Sequence, residues 1–290
     1  MDKKFILDLF RTLTPYFESI AKFFQKKPSA PQKQIIKPTP VLVEKEVEVV
    51  AEPSVDIVEI KSQPTMDKEF IKSIHQLPLN SDEYMQEECA KYQIYLHHTA
   101  GNASGRATMR NWDSDKRGRI ATCVTISNTG AKDSPDGEIV QGFSSKYWAY
   151  HLGLKQDHFK AFNAPYKQLD KYSIGIEICA WGPLTLKDGK FYTYVNTVVP
   201  ADQVCELEEP FKGHKYYHKY SDAQIESVKN LLLYWNEVYD IPLDYNEDIW
   251  GLTERAFTME PGVYTHNSVR KDKSDVFPQP ELIAMLKSLA

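Results

Sequence analysis

Near the C-terminal end, Thr265-His266-Asn267-Ser268 leads through a short basic loop to Lys273-Ser274-Asp275, and far upstream Tyr95-Leu96 precedes the pair His97-His98. Together these stretches hold imidazoles, one carboxylate and an ammonium two residues before that carboxylate. Zinc hydrolases use three protein ligands drawn from His and Asp or Glu and leave the fourth tetrahedral position open. His97 or His98, with His266 and Asp275, could supply that set. The spacing itself has little power, because any histidine and aspartate nine positions apart would satisfy it. Period-two alternation puts His97 and His98 on opposite faces of a strand without saying which faces a cleft.

Each candidate lies where a strand meets a loop, the usual place for a scaffold to present reactive groups. Tyr92 to Leu96 reads as a strand, as do Ile120 to Ser127 and the run Ser173-Ile174-Gly175-Ile176-Glu177-Ile178-Cys179. Glu177 stands out as a carboxylate within an otherwise apolar strand, and a strand-end ion pair is its plain alternative. Asp136-Gly137 signals a turn, with Glu138 to Phe143 returning as the partner strand, and Lys187-Asp188-Gly189-Lys190 closes a second hairpin. Ser221 and Gln224 make a capping-box pattern, and Ile225, Val228, Leu232, Trp235 and Tyr239 follow at helical spacing. A last helix starts near Pro280, and a short first one, capped by Asp67, turns Phe70, Ile71 and Ile74 inward. Strands interleaved with helices predict an α/β fold with a central mixed β-sheet flanked by helices.

The compact domain is expected over residues 66–290. Before it, residues 26–65 carry repeated prolines and no Gly, Phe, Tyr or Trp, which reads as an extended linker. In residues 1–25, Ile6, Leu9, Phe10, Leu13, Phe17, Ile20 and Phe24 recur at three- and four-residue steps, an amphipathic helix able to lie on a membrane surface or bind another chain over residues 4–24. Asp8, Arg11, Pro15 and Glu18 interrupt that segment, and no small-residue cleavage site follows, so a cleavable signal peptide is not expected.

Forty acidic residues against 35 basic ones give a net charge of -5, a field that repels polyphosphates and argues against a nucleic-acid partner. The four cysteines show no CxxC spacing and read as buried reduced thiols rather than a disulfide framework. His151 and Trp148, in Tyr147-Trp148-Ala149-Tyr150-His151, suggest a substrate-binding surface, since aromatic faces suit sugars and peptides; core packing is the alternative. His214 and His218 have a spacing that would bind metal on a helix, but their Lys- and Tyr-rich surroundings point to an exposed, non-metal segment.

The strand followed by His-His-Thr-Ala-Gly, the Ser-Ile-Gly-Ile-Glu strand, and a late His followed by Lys-x-Asp together resemble the zinc-dependent N-acetylmuramoyl-L-alanine amidases, whose fold is shared with the animal peptidoglycan recognition proteins. The resemblance covers about Tyr92 to Asp275. It implies zinc held by His97, His266 and Asp275, catalytic roles for Glu177 and Lys273, and peptidoglycan as the partner; His98, beside the ligand, joins His151 and Trp148 as a candidate substrate-binding residue on the sequence alone. Such a zinc stays cationic and acidifies water, Glu177 serves as base and then acid, and Lys273 stabilises developing oxyanion charge. The chain departs from the family pattern in three ways: Ile120-Ala121-Thr122-Cys123 lacks the tyrosine of some members, Thr265 replaces a frequent glycine, and Gly251-Leu252-Thr253-Glu254 imitates Gly-His-x-Glu without its histidine. The segments from Ala180 to Tyr220 and from Asp240 to Tyr264 exceed a minimal amidase and either wall the cleft or decorate it. A non-catalytic recognition module and a cytosolic recycling amidase are the alternatives to an endolysin-like enzyme of the wall.

Overall fold

A computed structural model describes residues 68–289 apart from Asn102, so the expected amphipathic helix and linker lie outside the described residues. The described chain builds eleven strands: β1 (His75–Gln76), β2 (Gln93–His98), β3 (Val124–Ile126), β4 (Ile139–Gln141), β5 (Ser173–Ile178), β6 (Pro183–Lys187), β7 (Lys190–Tyr192), β8 (Val198–Val199), β9 (Val204–Phe211), β10 (His214–His218) and β11 (Gly262–Thr265). Its helices are α1 (Lys68–Ser73), α2 (Gly105–Ser114), α3 (Gln156–Phe159), α4 (Asp222–Tyr239), α5 (Glu254–Phe257) and α6 (Pro280–Lys287). No described helix is long and apolar enough to cross a membrane.

The mixed sheet expected from the sequence is present, with order β1-β4-β3-β5-β2-β11. The neighbours β3, β5, β2 and the edge strand β11 run parallel, while β4 returns antiparallel to β3 after the turn at Gly137. A parallel strand is covered on both faces and so reads as a continuous buried run. Every residue of β2 is buried, including Gln93, whose side-chain amide donates to the carbonyls of Ala256 and Glu260. The strand extends to His98, two residues beyond the sequence expectation, so both histidines belong to it. The expected strand over 120–127 shrinks to β3, with Ile120 making only an isolated bridge to Tyr150.

Helix α4 begins as its capping box predicts, with Ser221 accepting from the Gln224 amide and the Gln224 side chain answering on the Ser221 amide. Its Ile225, Val228, Leu232 and Trp235 face the core, and burial of each such side chain stabilises by about 1.5–3 kcal/mol. The Gln224 amide also donates to the carbonyls of Ile126 and Cys179, so the helix start is tied to the ends of β3 and β5. Phe70 in α1 and Ile74 directly after it pack on the core; Ile71, expected inward, is rotated off that face and 38% exposed. Cys123, Cys179 and Cys205 are buried free thiols, and Cys89 is half-buried and free.

The long segment after Ala180 forms a second, antiparallel sheet of order β8-β7-β6-β10-β9, including the hairpin predicted at Lys187–Lys190. His214 and His218 lie at opposite ends of β10, not on a helix, and four extended residues place them too far apart to share an ion. Of the two only His214 is exposed as expected; His218 is buried and accepts from the Trp181 amide through Nδ1.

Candidate metal centre and cleft

The adjacent parallel strands β5, β2 and β11 end side by side, and ligand sites in open α/β sheets lie at such carboxyl ends. Register fixes who meets whom: His97 pairs with Glu177, and Leu96 with Thr265, so His266 follows directly beyond the end of β11. There the chain turns through a tight helical turn over His266–Ser268. Thr265 and Ser268 hold the turn by donating their hydroxyls to the Ile249 carbonyl. The Asn267 amide donates to the carbonyls of Asp275 and Val276, which draws the returning loop against the turn. This brings Asp275 to His266 across the basic loop.

The side chains of His97, His266 and Asp275 converge, all buried. His97 Nδ1 lies 3.1 Å from His266 Nδ1 and 3.3 Å from Asp275 Oδ2, and His266 Nδ1 lies 2.9 Å from the same oxygen. The far nitrogens are engaged elsewhere: His266 Nε2 is 3.1 Å from the Leu152 carbonyl, and His97 Nε2 is 3.0 Å from His151 Nδ1. A carbonyl only accepts, so the neutral His266 ring carries its proton on Nε2 and turns a bare Nδ1 to the cluster. With His97 likewise turned, three lone-pair atoms face one another in a buried space. Only a cation, or a proton on one ring, relieves that repulsion. A tetrahedral zinc with bonds of about 2.0–2.1 Å spaces its donors about 3.3 Å apart, so donor type, number and separation fit this ion.

Burial pushes His97 down to about 4, with the His266 charge acting in the same direction, so its ring is neutral and available as a ligand at neutral pH. Burial works to raise Asp275, but when the His266 ring takes the proton that relieves the cluster, its charge and its hydrogen bond outweigh burial and hold the carboxyl well below its usual range. Glu177 is half-buried beside them; burial first and the Asp275 charge second push its carboxyl well above the usual range, with Lys273 pulling the other way.

These groups line one cleft of about 570 Å³, which holds His97, His98, His151, Glu177, His266, Lys273 and Asp275. Lys273 is thus a half-buried cleft residue rather than part of a wholly solvated loop. The neighbouring Arg270 is engaged with Asp272 and with the Gly153 carbonyl. His98 reaches the cleft, but its Nδ1 pairs with the Tyr220 hydroxyl at 2.8 Å and takes no part in the convergent set. His151 stands behind His97. Trp148, expected at the substrate surface, is buried outside the cleft with its indole N–H on Glu87, since its aromatic bulk serves the core instead. Gly251 and Leu252, the imitation motif, also lie outside the cleft.

The second sheet walls the cleft, contributing Pro183, Thr185, Tyr194 and His214, next to Trp181. Tyr194 is 69% exposed, its ring 6.2 Å from that of Trp181 and its hydroxyl donating to the Ala100 carbonyl. The sequence offered no sign of these two rings beyond the length of the segment.

The family model described as N-acetylmuramoyl-L-alanine amidase matches residues 92–280. The chain belongs to this family. Membership makes it an enzyme, a hydrolase that cuts an amide bond of peptidoglycan. Among solved structures, PlyL is 14% identical with a TM-score of 0.41, covering 75% of this chain and 98% of its own. The PlyG catalytic domain is 12% identical with a TM-score of 0.42, covering 74% and 94%. The N-acetylmuramyl-L-alanine amidase AmiD from E. coli, solved in complex with anhydro-N-acetylmuramic acid-L-Ala-D-gamma-Glu-L-Lys, is 17% identical with a TM-score of 0.39, covering 68% and 57%. Comparison with curated proteins gives no match.

Proposed function

We propose that this amidase is zinc-dependent and hydrolyses the bond between the lactyl group of N-acetylmuramic acid and L-alanine in the intact wall. The observation that carries the reading is the convergence of His97 Nδ1, His266 Nδ1 and Asp275 Oδ2 within 3.3 Å of one another at the base of the cleft. When bound, zinc supplies an acidified water and a Lewis acid for the scissile carbonyl. Glu177, with its raised affinity for protons, takes the proton of the attacking water and delivers it to the leaving amine of L-alanine. The Lys273 ammonium faces the same space and stabilises the charge that develops on the carbonyl oxygen. Trp181 and Tyr194 offer ring faces on the wall where the glycan or stem peptide lies. A complete donor set with both catalytic groups beside it favours an enzyme over a recognition module that has lost its chemistry.

Mass spectrometry of the products from purified sacculi tests the bond. Stem peptides with a free L-alanine amine and glycan strands retaining their lactyl carboxylate are expected. Cuts within the glycan or between peptide residues would contradict the assignment, and release from soluble muropeptides alone would move the enzyme from the wall to recycling.

A further inference from the structure

The loop at His151 and Leu152 reaches both histidines of the cluster at once. The His151 ring contacts His97 Nε2, and the Leu152 carbonyl receives His266 Nε2–H. What holds this loop lies on another element, the turn leading into β5. The buried Asp170 accepts the backbone N–H groups of both His151 and Leu152 on one carboxylate oxygen, each at 2.8 Å, while Gln168 donates to the other at 3.1 Å. Ser173, the first residue of β5, donates its only hydroxyl proton to the Leu169 carbonyl at 2.8 Å. Its oxygen is then an acceptor, 2.9 Å from His151 Nε2. Gly175, two residues on, makes the room: a Cβ there would stand 3.0 Å from His151 Nδ1 and 2.6 Å from the Thr122 methyl.

Proton directions now follow in one order. Ser173 has no proton left for His151, so His151 carries its own on Nε2 and gives it to Ser173. Its Nδ1 is therefore a bare acceptor. His97 Nε2 must hold a proton to meet it, and His97 Nδ1 is left without one, facing the cluster. The Leu152 carbonyl imposes the same state on His266.

We propose that His151, clamped by Asp170 and Ser173, is a positioning residue that fixes His97 as the Nε2–H tautomer and so makes Nδ1 the metal donor. The inference rests on the zinc reading above and adds a cause for it: outer partners of metal-bound imidazoles set ring tautomer and orientation, and their loss typically weakens metal binding about 10–100-fold. Asp170 places the loop that serves both ligands, so its removal affects both rings where His151 affects one.

The test uses the full chain and two readouts besides activity: zinc affinity by competition with a chromophoric chelator, and the nitrogen-15 shifts of the His97 ring in metal-free protein at pH 7.5. His151→Phe keeps a ring of similar size but offers no acceptor. It should bind zinc about 10–100-fold more weakly and show a mixed His97 tautomer, while His151→Gln, whose amide oxygen accepts, recovers most of the affinity. Retention of wild-type affinity within threefold in His151→Phe, or a pure Nε2–H tautomer for its His97, overturns the proposal. If His151→Phe does not fold, Ser173→Ala serves in its place, with a mixed His151 and His97 tautomer expected and an unchanged one contradicting. Should wild type itself bind no zinc, the zinc reading fails, while the His97 tautomer in the metal-free chain still decides this inference.

Discussion

His266→Ala is expected to lose stoichiometric zinc and to lower sacculus hydrolysis by far more than the roughly 10–100-fold that loss of an outer partner of a metal ligand costs. Removing the ring leaves His97 Nδ1 and Asp275 Oδ2 as a two-atom set, which is one protein ligand short of a catalytic zinc site. It also removes one of the two donors to the buried Leu152 carbonyl, leaving the Arg270 guanidinium at 3.3 Å, at a cost of about 0.5–1.5 kcal/mol in stability. The two effects separate in measurement: zinc content by elemental analysis and turnover both collapse, whereas thermal unfolding shifts only modestly. His98→Ala provides the contrast. Its ring is engaged with Tyr220, so zinc content should hold, and a zinc loss equal to that of His266→Ala would mean that the ligand set is wrongly drawn.

Glu177→Gln should lower kcat by about 10²–10⁴-fold, the usual worth of a positioned general acid or base, with zinc content unchanged and KM close to wild type. The exchange preserves shape and removes only the ability to accept a proton. The sign of the pH dependence follows from its environment. Burial and the Asp275 charge raise the Glu177 carboxyl, a base acts only when ionised, and so wild-type activity falls as pH drops through a value above the ordinary carboxylate range. That acid limb should be absent from the residual rate of Glu177→Gln. An unchanged kcat, or the same limb in the variant, would remove Glu177 from the chemistry and leave it as a strand-end carboxylate.

The residues at strand ends were legible because their placement follows from local rules. His97 and Glu177 sit on strands recognisable by their apolar runs, and His266 directly follows another, so parallel register brings them together once the strands are known to be neighbours. The start of α4 was readable from two side chains, Ser221 and Gln224, whose bonds are made within one turn. What could not be read depends on contacts distant in sequence. Nothing near Asp170 announces that its carboxylate holds the amides of His151 and Leu152, and nothing near Asn267 announces that its amide holds the Asp275 end of the loop. Trp148 and Tyr194 are both aromatic, yet one is buried beside Met85 and Glu87 and the other lies open on the cleft wall, a difference decided by contacts distant in sequence rather than by residue type. The charged neighbours of His218 suggest the surface, but the end of β10 is buried and its ring accepts from the Trp181 amide.

The three convergent donors are proposed to hold one zinc ion that the reaction requires. The direct measurement is hydrolysis of purified sacculi by wild-type protein before chelation, after removal of metal, and after titration with zinc. Release of stem peptides is expected to disappear on chelation and to return in proportion to added zinc, saturating at one equivalent per chain. Full activity in metal-free protein, or recovery that ignores zinc stoichiometry, would contradict the proposal.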